Sequence, residues 1–445
     1  MKDRNPHTLK LILPARPSYL HIATDFAQAS ASAFGLGKEE CLQLGLAVEE
    51  IFMHLSRTVG PEQPLEMHAL DGVYDARIRF LFSADRFNLG GLNITTDFSN
   101  ALSCQSESDL EEMGLILASR SVEHLNISME KDNRICLSIT KEKKYPEGSA
   151  PRRSSTRGYA EMQAATETIP VTAGPEDLKA LAAGVTSGRF PFAPSFFRYP
   201  GKVVDMVASG KYQAVTALDQ RKGPVGGALF RFLSDRIVEI YGPYIFESAG
   251  ETAAERILEE CLRRMARTKA LGLLSLSGLP PSLRGHFESL GFVEYFTAEG
   301  SRMERPVFYR LLHEDPGSEA WTHGDYASWL REEYDRLVLA RDIRMVQPMG
   351  ENRLGASLFA AEINRELLEV VLRPIWPGED LAVNVGRHVS FLRKEAFLNI
   401  FFELDLGIPW HSELMPALGA SGFKPRLLLP FAGKSDIVVL QYDAA

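Results

Sequence analysis

The sequence predicts a mixed α/β (α+β) chain built from several domains, and three observations predict it. The stretch Leu44–Val59, LGLAVEEIFMHLSRTV, has the apolar spacing of an amphipathic helix and lies among strand-like runs. From residue 211 onward, apolar strand patterns and helical patterns follow one another in short order. Two segments, HFESLGFVEYF and ALGASGFKPRLLL, share a Gly-Phe step at Gly291–Phe292 and Gly422–Phe423, a spacing of 131 residues that reads as an internal duplication. A length of 445 residues allows two to four domains.

The first domain is expected over residues 1–145. KLILPARPSYLHIATDFAQASASAFGL reads as a strand and a helix, Ala76–Phe82 as a strand and Leu92–Asp97 as another. ILASRSVEHLNISMEKDNRICLSITKEKK reads as a closing helix and strand pair. Within Leu44–Val59, Glu50 and His54 lie one turn apart on one face. By itself that pattern also fits an amphipathic core helix with one polar histidine. Taken together, these segments resemble the anti-sigma-factor serine kinases of the GHKL (histidine-kinase-like) ATPases. The resemblance implies a two-layer α/β sandwich with a nucleotide site at Glu50, His54, Asp97 and Gly114. His54 stands where the family has an asparagine, and an imidazole is a poor ligand for magnesium, a hard cation that prefers oxygen. Asp97-Phe98-Ser99-Asn100-Ala101 keeps the family's aspartate without its two glycines, and Glu112-Met113-Gly114-Leu115 keeps one glycine of a phosphate-cradling pair. Glu107, Asp109, Glu111 and Glu112 lie between them and would repel a triphosphate. ATP and magnesium are therefore expected to bind weakly or not at all, with ATP turnover weakened or absent and a live serine kinase the least favoured alternative.

Composition narrows the function classes. Net charge is −9, against general nucleic-acid binding. No apolar run approaches the ~20 residues that span a bilayer, and the N-terminal segment lacks a signal-peptide core. A cytoplasmic protein with no membrane partner is the expectation. Cys41, Cys104, Cys136 and Cys261 are widely spaced, and the ten histidines are scattered, so neither a disulfide framework nor a metal site is expected.

Lys141–Gln163 is rich in charge, Pro, Gly and Ser, and reads as an exposed linker, with residues 146–165 forming the boundary. Its Arg152, Arg153 and Arg157 fit either a solvated segment or an anion contact. After it, ETIPVTAGPEDLKALAAGV predicts a strand and a capped helix. Strands are expected at Lys211–Leu218, Val225–Leu233 and Ile237–Ile245, a helix at Glu251–Lys269 and a buried strand at Leu271–Ser277. SLRGHFESLGFVEY reads as a helix end, a turn and a strand. This order, with GPVGGALF and HFESLGFVEY, resembles the GNAT acyltransferases over residues 166–312. The resemblance implies acetyl-CoA or another acyl-CoA as cofactor, its pyrophosphate held by Gly250 and Thr252 in Glu247-Ser248-Ala249-Gly250-Glu251-Thr252. Glu247 and Glu251 place negative charge there, and Phe287 stands where the family has its tyrosine acid. Glu239 is then the candidate general base, with Tyr241 and Tyr244 as substitute acids, although each also fits an ordinary strand position.

Residues 313–445 predict a second, degenerate GNAT-like unit. Trp321–Leu339 reads as a helix, Leu358–Asn364 and Leu367–Val371 as a hairpin, Leu381–Val385 as a strand, Val389–Phe397 as a helix and Asn399–Leu404 as a strand. Arg387, His388, Arg393 and Lys394 form a basic patch that fits a solvated helix face. The layout, a GHKL-like domain joined to a tandem GNAT region, implies a bacterial signalling or regulatory protein. It would bind an anti-sigma-antagonist or other regulatory protein and a small-molecule ligand. The alternative is a working N-acyltransferase with the first domain as its control module.

Overall fold

A computed structural model describes residues 7–59, 63–83, 93, 118, 121–130, 134–148, 169–188, 190–218, 224–246, 252–347, 349–353 and 355–443. The N-terminal part is a two-layer α/β arrangement. Strands β1 (Thr8–Pro14), β2 (Pro64–Asp71), β3 (Asp75–Ser83), β4 (His124–Met129) and β5 (Arg134–Glu142) form an antiparallel sheet in the order β1-β2-β3-β5-β4. Helices α1 (Leu20–Ala33) and α2 (Lys38–Thr58) cover one face. Their small and apolar residues Ala23, Ala27, Leu44, Val48, Ile51 and Phe52 pack on Met67, Ile78, Phe80 and Leu137. The alternation of each strand puts those residues on one side and the charged ones on the other.

The middle part is a seven-stranded sheet. It takes β6 (Ile169–Thr172), helices α3 (Pro175–Ser187) and α4 (Pro200–Ala208), then β7 (Tyr212–Leu218), β8 (Pro224–Phe232) and β9 (Ile237–Ile245). Helix α5 (Ala253–Met265) leads to β10 (Gly272–Ser275), followed by β11 (Glu288–Phe296) and β12 (Arg302–Leu311). The order is β11-β12-β10-β9-β8-β7-β6, with β9 and β10 parallel and the other pairs antiparallel. Helix α5 packs on one face through Ile257, Leu258, Cys261 and Met265. Helices α3 and α4 pack on the other through Leu178, Leu181, Val203 and Met206.

The last part begins with β13 (Ser318–Thr322), α6 (Ala327–Leu337) and β14 (Arg341–Met345), β13 and β14 pairing in parallel. A five-stranded sheet follows: β15 (Leu358–Asn364), β16 (Glu369–Trp376), helix α7 (Leu381–Lys394), β17 (Asn399–Asp405), short helices α8 (Pro409–Ser412) and α9 (Met415–Ala420), β18 (Phe423–Leu429) and β19 (Ile437–Tyr442). Its order, β15-β16-β17-β19-β18, with β16 and β17 parallel, repeats the run β8-β9-β10-β12-β11 of the middle sheet. Gly291 and Gly422, both at positive φ, mark the same place in the two copies.

Side-chain amides join the parts. Among the described residues no strand pairs with the outer edge of β11; instead the Glu294 amide donates to Gln441 Oε1 (3.2 Å) and Gln441 Nε2 donates to the Glu294 carbonyl (2.6 Å). Asn399 does the same for Phe296, at 2.9 and 3.0 Å. Asn93 of the N-terminal part pairs with the Ser357 carbonyl and the Phe359 amide beside and on β15, at 2.8 and 3.0 Å. Each carboxamide supplies one donor and one acceptor, as a neighbouring strand would, so a sheet edge is covered without extending the sheet.

Several sequence expectations change. The supposed linker start is ordered structure: Lys141 and Glu142 end β5, Lys144 pairs with Glu39 (2.6 Å), and the Tyr145 hydroxyl donates to Asp205 (2.6 Å). Trp321–Leu339 is a strand and a helix, because His323 caps a turn at residues 324–326 by accepting from the Asp325 amide. Leu381–Val385 is the first part of α7 and not a strand, since Asn384, Val385, His388, Val389 and Leu392 share its buried stripe at helical spacing. His388 is thus a core residue and leaves the basic patch. Before Phe287 there is only a 3-10 turn, Pro281–His286, opened by a proline pair.

Candidate active site

The feature that builds a site lies on β9. A regular strand would send Tyr241 and Tyr244 to opposite faces. Gly242 (φ +93) and Pro243 interrupt it, and the pairing with β8 slips between Gly227 and Leu229. A Cβ at Gly242 would lie 2.6 Å from the Tyr244 amide, so only glycine fits. The bulge turns both tyrosines onto the face covered by α3 and α4. Glu239 shares that face, with its side chain 6% exposed.

Glu239 Oε2 accepts from Arg231 Nε of β8 (2.8 Å) and from the Tyr241 hydroxyl (2.7 Å). Arg231 Nη1 also donates to the Tyr212 hydroxyl of β7 (3.3 Å), and its guanidinium lies 5.8 and 5.9 Å from the Tyr212 and Tyr241 ring centres. The Arg231 side chain is 38% exposed, so this polar cluster reaches water at one end. Phe196 stands edge-on to Tyr241 (5.7 Å), and Phe190 and Phe197 hold the Tyr244 ring at 5.0 and 5.2 Å. Burial, and then the Glu239 carboxylate, pushes the Tyr241 phenol well above its ordinary range. Burial does the same to Tyr244. Both phenols stay protonated at working pH and act as hydrogen-bond donors; neither is an easy proton source.

The second feature is a gap. The parallel ladder between β9 and β10 has its last rung at Glu239 and Leu274. From Ile240 to Ile245, β9 is paired with β8 on one side, and among the described residues no strand pairs with its other edge. Tyr244 and Ser277, the latter two residues beyond β10, sit beside each other across this gap.

The remaining expected site residues fall elsewhere. Thr252 is the exposed N-cap of α5, whose first turn carries Glu255; Gly250 lies outside the described residues. Glu50 is half-buried on α2, where burial and then the charge of Glu49 push its carboxyl up. His54 is buried in the core of the N-terminal part. Asp97 and Gly114 lie outside the described residues, so the proposed nucleotide set is not brought together among them. Among the described residues no cluster of His, Cys, Asp and Glu could hold a metal ion, and no helix is long and apolar enough to cross a membrane. Arg231, Tyr212 and Ser277 were not singled out in the sequence. Arg231 had a signal, a lone charge in the apolar run Pro224–Phe232, whereas Ser277 had none.

No family model and no curated protein matches the chain. Solved structures similar to part of it are GNAT acetyltransferases. A phosphinothricin acetyltransferase from Sinorhizobium meliloti in complex with acetyl-CoA is 22% identical over 33% of this chain and 89% of its own, with a TM-score of 0.26. An N-acetyltransferase from Staphylococcus aureus Mu50 is 14% identical over 33% and 100%, at 0.26. The GNAT protein YhbS from Escherichia coli, in complex with CoA, is 14% identical over 42% and 94%, at 0.25. These likenesses cover about a third of this chain, and the strand order and the bulge, not the scores, define the unit.

Proposed function

We propose that the seven-stranded unit binds an acyl-CoA thioester along the open edge of β9 and transfers the acyl group to an amine. The observation that carries this reading is the buried Glu239 carboxylate at the last rung before β9 and β10 part. An extended, amide-bearing chain such as pantetheine can bond to an unpaired strand edge much as a peptide strand does. In the transfer, the amine nitrogen bonds to the thioester carbon and the C–S bond breaks. Glu239 takes the proton from nitrogen and returns it to the departing sulfur, which leaves as CoA thiol. Arg231 and Tyr241 hold the carboxylate in place, and the attacking amine is the neutral form.

Calorimetric titration of the full chain with acetyl-CoA tests the reading, followed by thiol release with a panel of amines. Micromolar binding and a Glu239→Gln variant that still binds but releases thiol about 100-fold more slowly are expected. Absence of binding at millimolar acetyl-CoA would overturn it.

For the N-terminal part we propose a regulatory role without ATP turnover, with an anti-sigma-antagonist-like protein as the kind of partner its resemblance implies. The core position of His54 supports this, since a magnesium site needs oxygen donors. A thermal shift on adding ATP and magnesium would count against it.

A further inference from the structure

The Tyr244 and Ser277 hydroxyl oxygens have no exposed surface and no hydrogen-bond partner of good geometry, although they are neighbours. Tyr244 as a whole is 4% exposed. A buried hydroxyl without a proper partner destabilises the free protein, so its persistence in a well-packed place calls for an explanation. The packing is tight: Phe190 and Phe197 fix the Tyr244 ring from two sides, and the Gly242 bulge sets its direction. Ser277 faces it from the β10 side of the gap, and the Tyr244 phenol also feels the Glu239 charge.

We infer that Tyr244 and Ser277 are a pair of donors for the carbonyl oxygen of the bound thioester. The inference rests on the proposed acyl-CoA site and adds to it two positioning hydroxyls outside the Glu239–Arg231 cluster. As the amine nitrogen bonds to the carbonyl carbon, negative charge gathers on that oxygen. Two fixed O–H donors in a water-poor gap stabilise it, and the charge returns to carbon as the C–S bond breaks and the thiol leaves. The raised Tyr244 phenol suits this role, because it donates a hydrogen bond without giving up its proton.

The test uses acetyl-CoA labelled with carbon-13 at the carbonyl, bound to the full chain and to the Tyr244→Phe and Ser277→Ala variants. In the wild-type protein the infrared carbonyl band should move to lower wavenumber than in free acetyl-CoA. In each variant it should move part of the way back toward the free value, while calorimetry shows acetyl-CoA still binding. Thermal stability supplies a second readout. Removing a poorly paired buried hydroxyl should leave the Tyr244→Phe melting temperature unchanged or raised, whereas a structural hydrogen bond would lower it. A wild-type band at the free position, or a band in either variant displaced as far as in the wild type, overturns the pair while leaving the acyl-CoA site standing. No binding of acetyl-CoA to the wild-type chain overturns both.

Discussion

The seven-stranded sheet and the last five-stranded sheet share a five-strand topology and differ at the point where a site would form. Counted from the first rung of each parallel ladder, Glu239 of β9 corresponds to Val371 of β16, and Tyr241 to Arg373. The β9/β10 ladder closes after three rungs, whereas β16/β17 continues to a fourth, Leu372 with Phe402. The helix after β9 begins at an exposed Thr252; the one after β16 begins at Asp380, whose carboxylate accepts from the Ser357 amide. One copy is therefore open beside a buried acid, while the other is paired one rung further. On the same face of the second copy, Arg373 is tied to Glu403 (2.6 Å) and Glu362 (2.7 Å), and Asn399 and Gln441 hold β11. The proposed site thus falls in one half, while the matching strands of the other are taken up by packing and ion pairs.

That contrast sets what substitutions should do. The largest effect belongs to the closed copy. Arg341, with no exposed side-chain surface, bonds Asp436 (2.6 Å) and Asp315 (2.6 Å), and Asp436 also accepts from the Tyr334 hydroxyl (2.9 Å). Arg341→Ala leaves two carboxylates buried and should cost about 3–5 kcal/mol by thermal or urea unfolding. Asn399→Leu strips Phe296 of both its main-chain partners and should cost about 2–4 kcal/mol. The Arg231→Ala change in the open copy should cost only about 1–2 kcal/mol, because water reaches that guanidinium, yet it should lower acyl transfer. Equal stability losses for Arg341→Ala and Arg231→Ala would break the comparison.

The smallest effect is one of pH and again belongs to the closed copy. Burial pulls His388 down to about 4 and His411 to about 3, from 6.5. Both imidazoles are neutral in the folded chain, and the unfolded chain takes up protons first as pH falls. Their contribution to stability is present above pH 6.5 and is lost progressively as pH falls from there toward 4 and 3. The melting temperature should drop over that range, and His388→Leu should flatten part of the slope.

Much of the open copy was legible in the sequence. Ile237–Ile245 is a strand with the bounds its apolar pattern gave, and the Gly-Phe steps located the repeat. Helix ends were less legible. Leu381–Val385 is apolar enough to pass for a strand, and only the burial of His388 one turn on shows that the stripe is helical. The site was half legible. Glu239, Tyr241 and Tyr244 were reached through the family resemblance of their strand, but period-two alternation would have separated the tyrosines; the bulge at Gly242 unites them. Arg231 reaches the site from β8 and Ser277 from just beyond β10, and such juxtaposition depends on sheet order and on where a ladder ends.

The central claim is that the acyl-CoA site belongs to the open edge of β9 and not to its repeat. Amide hydrogen exchange of the full chain, with and without saturating acetyl-CoA, tests it directly. Slowed exchange over Ile240–Ile245 with no change over Glu369–Trp376 is expected. Unchanged exchange on β9, or slowing confined to β16, would contradict it.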